Sequence, residues 1–342
     1  MKKTIVVILN WNGIAYLKMF LDKVVDLSLN SETEVCVADN GSTDGSADWV
    51  ANNFSDVRLI RFDRNLGFAE GYNMAIGQLE AEYFVLINTD IEVTEGWLQP
   101  LIRYMDENPD SGSCQPKILS WSRRDYFEHA GAAGGFIDKF GYPFCRGRIL
   151  NIAEKDDGQY DNRTEVFWSS GACMIIRSEA WKRCGGFDGL FFAHMEEIDL
   201  CWRMHRAGYR VGFTPESRVY HIGGGSLNYD SPFKIYLNFR NSLFMLYKNL
   251  EDNKLFYILF IRMILDGMAA VMFLLTGRIS YFKSVFRAHI QYYKCKGELR
   301  MKRIAVKEIG DRNSEGLILN KSVVLEFYIK GNKTYNRLKR DN

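Results

Sequence analysis

The sequence predicts an α/β fold built on a mostly parallel sheet, and three features carry that prediction. Strand and helix patterns alternate through the first half of the chain. The strand patterns are short apolar runs rich in β-branched residues, as strands buried on both faces require. Three of these runs end abruptly in polar loops: Asn10-Trp-Asn-Gly13, Asp39-Asn-Gly-Ser-Thr-Asp44 and Asn88-Thr-Asp90. In a parallel sheet all three open on one edge, where α/β folds bind ligands.

The elements follow in order. Residues 4–9 read as the first strand; the apolar run there is too short for a secretory signal. Residues 13–27 place Leu17, Phe20, Leu21, Val24 and Val25 at helical spacing. Residues 34–38 form a second strand, 46–53 a helix and 57–62 a third strand. The loop Asn65-Leu-Gly-Phe-Ala-Glu-Gly-Tyr-Asn73 opens a helix running to Leu79, and the strand 84–88 follows. Between about 110 and 170 the chain is rich in Gly and aromatics, which predicts mixed strands and loops over the active face. Residues 179–184 form a short helix closed by Gly185-Gly186, and 196–207 a helix closed by Gly208. Residues 210–213 and 218–221 read as short strands.

After Ser231-Pro232 the character changes, which divides the chain into 1–230 and a helical region, 231–342. Residues 234–250 are aromatic-rich and helical. Residues 255–275 are apolar and long enough to span a bilayer. They carry Arg262 and Asp266, which can pair four residues apart but are costly at a bilayer centre. A span therefore ranks below a peripheral arrangement. From 278 to 303 the chain is basic, with Glu298 its only acid, and Ile279, Phe282, Phe286, Ile290 and Tyr293 share one helical stripe. A basic amphipathic helix on an anionic membrane surface has this pattern. A tail packed on its own domain has it too.

Composition narrows the classes. Of 342 residues, 47% are apolar and 25% charged, as in an ordinary globular protein. A net charge of +2 gives no nucleic-acid signature. The seven cysteines are scattered without a CxxC pair, which argues against a disulfide framework and for a reducing compartment.

Chemistry concentrates at the strand ends. Asp90 is a candidate ligand for Mg²⁺ or Mn²⁺, which favour carboxylate and phosphate oxygens, or else a cap of its own turn. Gly67 and Gly71 permit close backbone approach beside a helix start that favours anions. Glu196, Glu197 and Asp199 cluster where a helix begins. They are candidates for acid–base work, or simply acids that complement the helix dipole.

In their order and number these motifs resemble the family 2 glycosyltransferases, inverting enzymes of the GT-A fold, a Rossmann-like nucleotide-binding architecture. The resemblance covers about residues 3 to 225. It rests on Val7-Ile-Leu-Asn-Trp-Asn12, residues 37–46, residues 65–73, Asn88-Thr-Asp90, Gly185-Gly-Phe-Asp188 and residues 196–203.

The resemblance implies roles. Asp39 accepts a hydrogen bond from the imide of a uracil or thymine. Asn10, Asn12, Asn40, Gly67, Asn73, Asn88 and Thr89 belong to the donor site. Asn88-Thr-Asp90 matches the family's Asp-x-Asp metal motif with its first acid replaced, leaving Asp90 as the direct ligand. His221 matches a second metal ligand in rhamnosyl- and galactofuranosyltransferase-like members. Glu197 matches the general base, usually Asp. Trp168, Asp188 and Glu196 fall to the acceptor site, although Trp168 fits a core position as well. Arg240 is a candidate diphosphate contact or a surface salt bridge.

The implied enzyme transfers a sugar from a dTDP- or UDP-sugar to a saccharide or polyprenyl-diphosphate-linked acceptor in cell-surface polysaccharide synthesis. It would work peripherally at the cytoplasmic face of the inner membrane, with Mg²⁺ or Mn²⁺ and without nucleic acid. Two alternatives are a sugar nucleotidyltransferase, which lacks its expected basic Gly-rich first loop here, and an inactive scaffold of the same fold.

Overall fold

The computed structural model describes residues 2–128, 130–223, 231–312 and 315–339. The first half alternates as the apolar runs dictate: β1 (Lys2–Asn10), α1 (Ile14–Ser28), β2 (Thr33–Asp39), α2 (Ser46–Asn53), β3 (Arg58–Arg61), α3 (Gly67–Ile76), β4 (Ala81–Asn88), β5 (Ile91–Val93) and α4 (Leu98–Glu107). A strand-rich middle follows: β6 (Ser111–Ser120), β7 (Gly135–Asp138), β8 (Pro143–Cys145), β9 (Arg148–Ile149), β10 (Ile152–Ala153), β11 (Thr164–Glu165) and β12 (Cys173–Arg177). Then come α5 (Ser178–Cys184), α6 (Glu196–Arg206) and β13 (Arg210–His221). The rest is α7 (Pro232–Asn249), α8 (Asp252–Leu275), α9 (Ile279–Lys294), α10 (Lys296–Ile309), β14 (Ile318–Leu319), α11 (Val323–Tyr328) and α12 (Tyr335–Lys339).

The main sheet runs β11-β13-β6-β12-β4-β1-β2-β3, with β5 on β13. Strands β4, β1, β2 and β3 are mutually parallel, and β6 is parallel to β13; β12 joins the two groups antiparallel. Register places Asn10 beside Asp39 and Leu9 beside Asn88, so the three polar loops open on one edge. Val6, Val7, Val35, Val37, Val85 and Leu86 are fully buried, as strands covered on both faces must be.

Two expectations change in detail. The strands expected at 210–213 and 218–221 are one strand, β13, interrupted by an irregularity between Thr214 and Arg218. The basic stretch 278–303 breaks at Cys295 into α9 and α10. The boundary placed after residue 230 abuts 224–230, which lie outside the described residues.

The helical C-terminal region is tied into the rest of the protein. Leu243, Phe244 and Leu246 of α7 share a core with Phe191, Ile198 and Phe213. Strand β14 pairs with β7 in a second, smaller sheet. A buried ionic network adds direction: the Lys248 ammonium on α7 donates to Asp188 Oδ2 (2.6 Å) and Asp199 Oδ2 (2.9 Å), and Asn249 donates to Asp199 Oδ1 (2.8 Å). Lys302 of α10 donates to the other oxygen of Asp188 at 2.8 Å.

Candidate active site

A cavity of about 590 Å³ opens over the C-terminal edge of the sheet. Its lining includes Trp11, Asn40, Asn65, Gly67, Asn88, Asp90, Trp168, Glu196, Glu197 and His221. Of these, Trp11 and His221 lie 210 positions apart in sequence yet line one cavity.

Asp90 follows β4 and His221 ends β13, and both are buried. His221 Nε2 lies 3.2 Å from Asp90 Oδ1, and His221 Nδ1 lies 3.0 Å from Glu128 Oε2. Burial opposes a charge on this ring, but the carboxylates of Asp90 and Glu128 outweigh it and push His221 up to about 10. Two ligands on one octahedral cation with bonds of about 2.1 Å stand about 3 Å apart. The Asp90–His221 separation matches that edge, so the pair fits a divalent cation. Among the described residues no cluster of three or more His, Cys, Asp or Glu side chains forms a ready-made cage. The remaining ligands of such an ion are left to substrate and water, the usual arrangement at phosphate-binding sites.

The start of α6 also lines the cavity. Glu196 is buried, Glu197 is partly exposed, and each keeps one carboxylate oxygen buried without a hydrogen-bond partner. Burial raises both acids above the ordinary 4.5, and Glu196 is pushed further by its neighbour's charge. A pair in this state holds a proton to higher pH than a free carboxylate does.

The loop that delivers these acids is strained. Phe192, His194 and Met195 have φ of 65°, 70° and 73°, left-handed values unusual outside glycine. Helix α7 holds them there. The Asn241 amide donates to the carbonyls of Phe191 (3.0 Å), Ala193 (2.8 Å) and His194 (2.7 Å). Arg240 donates to those of Leu190 (3.1 Å) and Phe191 (2.8 Å). Arg240, a candidate for a diphosphate contact or a surface salt bridge, is engaged in this clamp.

Other expected site residues also have partners within the protein. Asp39 is buried, and its oxygens accept from the Ser42 N–H (3.0 Å) and the Asn10 amide (2.8 Å), so it braces its own loop. Asn10 also donates to Ser46 Oγ at 2.7 Å, and Asn12 Oδ1 accepts from the Thr43 N–H at 2.8 Å. These residues tie the first two loops together. Asn73 binds the Phe187 N–H (3.0 Å) and carbonyl (2.8 Å) and faces away from the cavity. Thr89 sits against Gly13, off the wall.

Asp188 is buried between Lys248 and Lys302, which overcome the effect of burial and hold its carboxyl well below the usual range; it does not line the cavity. Trp168 forms part of the wall, but it is buried and its indole N–H donates to the Phe136 carbonyl at 2.9 Å. The start of α3 is not open to an anion, because the Phe68 and Ala69 N–H groups donate to the Phe192 carbonyl at 2.6 and 3.1 Å. Gly67 is required there: φ is +82°, and a Cβ would meet the Phe192 ring at 2.5 Å.

Glu128, Arg148, His194 and Lys234 belong to the site or its support and escaped the sequence reading. Glu128, Arg148 and His194 lie in stretches without helical or strand periodicity, and Lys234 begins a helix read only as aromatic-rich.

Comparison with known proteins decides the lineage. The family model described as Glycosyl transferase family 2 matches residues 5–182, more than half of the chain. The chain belongs to that family. It is a glycosyltransferase. It is 29% identical over 223 residues to the N-acetylglucosaminyl-diphospho-decaprenol L-rhamnosyltransferase of Mycobacterium tuberculosis, covering 60% of this chain and 71% of that one. It is 26% identical over 165 residues to rhamnosyltransferase WbbL of Escherichia coli, covering 45% and 60%. Among solved structures, the mannosyltransferase PcManGT from Pyrobaculum calidifontis, in complex with GDP-Man and Mn²⁺, superposes with a TM-score of 0.53 at 13% identity. That match covers 85% of this chain and 87% of that one. The glycosyltransferase has the GT-A architecture that its sheet order displays.

Proposed function

We propose that the protein is an inverting, cation-dependent glycosyltransferase that moves a sugar from a dTDP- or UDP-sugar to a saccharide or polyprenyl-diphosphate-linked acceptor at the cytoplasmic face of a membrane. The observation that carries this reading is one cavity lined by Asp90, His221 and Glu197 together. The rhamnosyltransferase relatives support a deoxyhexose donor and a lipid-diphosphate acceptor. The Mn²⁺ bound in the mannosyltransferase supports the cation.

Trp11, 42% exposed, offers an aromatic face to the nucleobase, and Asn40 and Asn65 line the same cavity. Asp90 and His221 would hold Mg²⁺ or Mn²⁺, with imidazole favouring Mn²⁺. That cation, when bound, offsets the charge gained by the departing diphosphate. Glu197 takes the proton of the attacking acceptor hydroxyl, and its raised proton affinity suits a base working near neutral pH. Glu196, kept protonated, limits the negative charge there. One displacement at the anomeric carbon inverts its configuration.

The test is product analysis with a panel of nucleotide sugars and a lipid-linked acceptor, read by proton NMR. Nucleoside diphosphate and an inverted linkage are expected. Pyrophosphate would indicate nucleotidyl transfer, and a retained configuration would overturn the direct displacement.

A further inference from the structure

Helix α8 is built inside out. Arg262 and Asp266 are buried and paired at 2.9 Å, with the Arg262 guanidinium 3.8 Å from the Tyr142 ring centroid and His289 Nε2 3.3 Å from Asp266. Its large apolar side chains point to solvent: Phe256 is 82% exposed, Met268 63% and Leu275 81%, with Phe260, Ile264 and Val271 between them. At about 100° per residue these six fall within one half of the circumference and the charged pair in the other. Soluble proteins rarely expose such a continuous patch without a partner for it.

Helix α9 continues the patch. Ile279, Phe286, Ile290 and Tyr293 are exposed along one stripe, and the Tyr293 hydroxyl touches Met263 of α8 at 3.4 Å. Exposed Lys283, Arg287 and Lys294 border that stripe on one side. Between residues 253 and 297 the one acid is Asp266, which is buried.

We propose that the outward faces of α8 and α9 lie in the headgroup–acyl boundary of an anionic membrane leaflet, both helices in its plane. The charge pattern selects this occupant. A second copy of the same face would bring like charges together with no acid to meet them. An anionic leaflet accepts both the apolar stripe and its basic border. A transmembrane α8 is disfavoured by the buried Arg262–Asp266–His289 cluster, which binds its inner side to the protein. The placement deepens the functional reading of a membrane-borne acceptor and rests on it only for purpose. The Ser284 hydroxyl of α9 donates to the Pro232 carbonyl at 2.8 Å, and Phe233 and Lys234 next along line the cavity. A lipid-anchored acceptor would therefore reach the site beside the first turn of α7.

The experiment is sedimentation of the full chain with vesicles of phosphatidylcholine alone or with added phosphatidylglycerol. It compares wild type with Phe256→Ser/Phe260→Ser/Met268→Ser and with Lys283→Glu/Lys294→Glu. All five positions are exposed, so folding is retained, and circular dichroism checks this. Wild type binds anionic vesicles, the triple variant loses about tenfold or more of that binding, and charge reversal removes the preference for anionic lipid. Phe260→Trp is quenched by brominated lipid. Wild-type partitioning of the triple variant, no vesicle binding, or a dimer dissolved by the triple variant would each overturn the proposal. Vesicle binding needs neither donor nor acceptor. Binding without sugar transfer would therefore sink the functional reading alone, and transfer to a water-soluble acceptor without vesicle binding would sink this proposal alone.

Discussion

Glu128 sets a carboxylate oxygen 3.0 Å from Nδ1 of His221, on the far side of the ring from Asp90. The contact fixes the ring so that Nε2 turns toward the carboxylate proposed to share a cation with it. Carboxylates behind a ligating imidazole commonly set its tautomer and orientation. Glu128→Ala is expected to weaken Mn²⁺ binding roughly 10- to 100-fold, measured as free Mn²⁺ by paramagnetic resonance. Unchanged affinity would separate His221 from the cation.

Glu197→Gln is expected to lower transfer by roughly 10²-fold or more while donor affinity stays near wild type. The base must be ionised, and burial raises its proton affinity above the ordinary 4.5. Activity should therefore rise with pH through a limb well above pH 4.5. A rate flat from pH 5 to 8, with transfer shown to limit it, would exclude the assignment.

Glu196 carries the same sign into stability. Its folded-state affinity for a proton is raised, so the native state is favoured below the unfolded value and loses that advantage as pH rises. Glu196→Gln should raise the melting temperature at pH 8 and leave it unchanged at pH 4. Calorimetric scans at the two pH values decide it.

Asn241→Ala removes one amide from three carbonyls of a strained loop. The expected cost is on the order of 2–4 kcal/mol of stability, with kcat falling and donor affinity kept. Equal loss of donor affinity would mean that the clamp supports the whole cavity rather than the acids on α6.

Lys248→Met leaves Asp188 and Asp199 buried with one cation fewer. Breaking such a pair costs roughly 3–5 kcal/mol, to be read from urea unfolding. A cost under about 1 kcal/mol would show that Lys302 and Arg203 suffice.

The sheet was legible because burial on both faces writes itself into continuous apolar runs. Asp90, His221 and Glu197 were reached through motifs at strand and helix ends, and the register brings all three to one cavity. Residue type alone does not tell which way a side chain turns. Asp188 carries a motif acid, yet its partners lie 60 and 114 residues away on α7 and α10. Asn73 and Arg240 likewise spend their donors on backbone far along the chain. Glu128 was hidden because a supporting carboxylate between turns has no periodicity to mark it. The charges of α8 were read correctly as a pair, but only packing against Tyr142 shows that they face inward.

The most direct test of the central claim is calorimetric titration of dTDP-rhamnose and a set of UDP-sugars into wild type and Asp90→Ala, with Mn²⁺ and with EDTA. The account predicts that one donor binds wild type with Mn²⁺ and that EDTA or loss of Asp90 weakens it at least about tenfold. Donor binding of equal strength in EDTA and in the variant, or no binding of any donor, would contradict it.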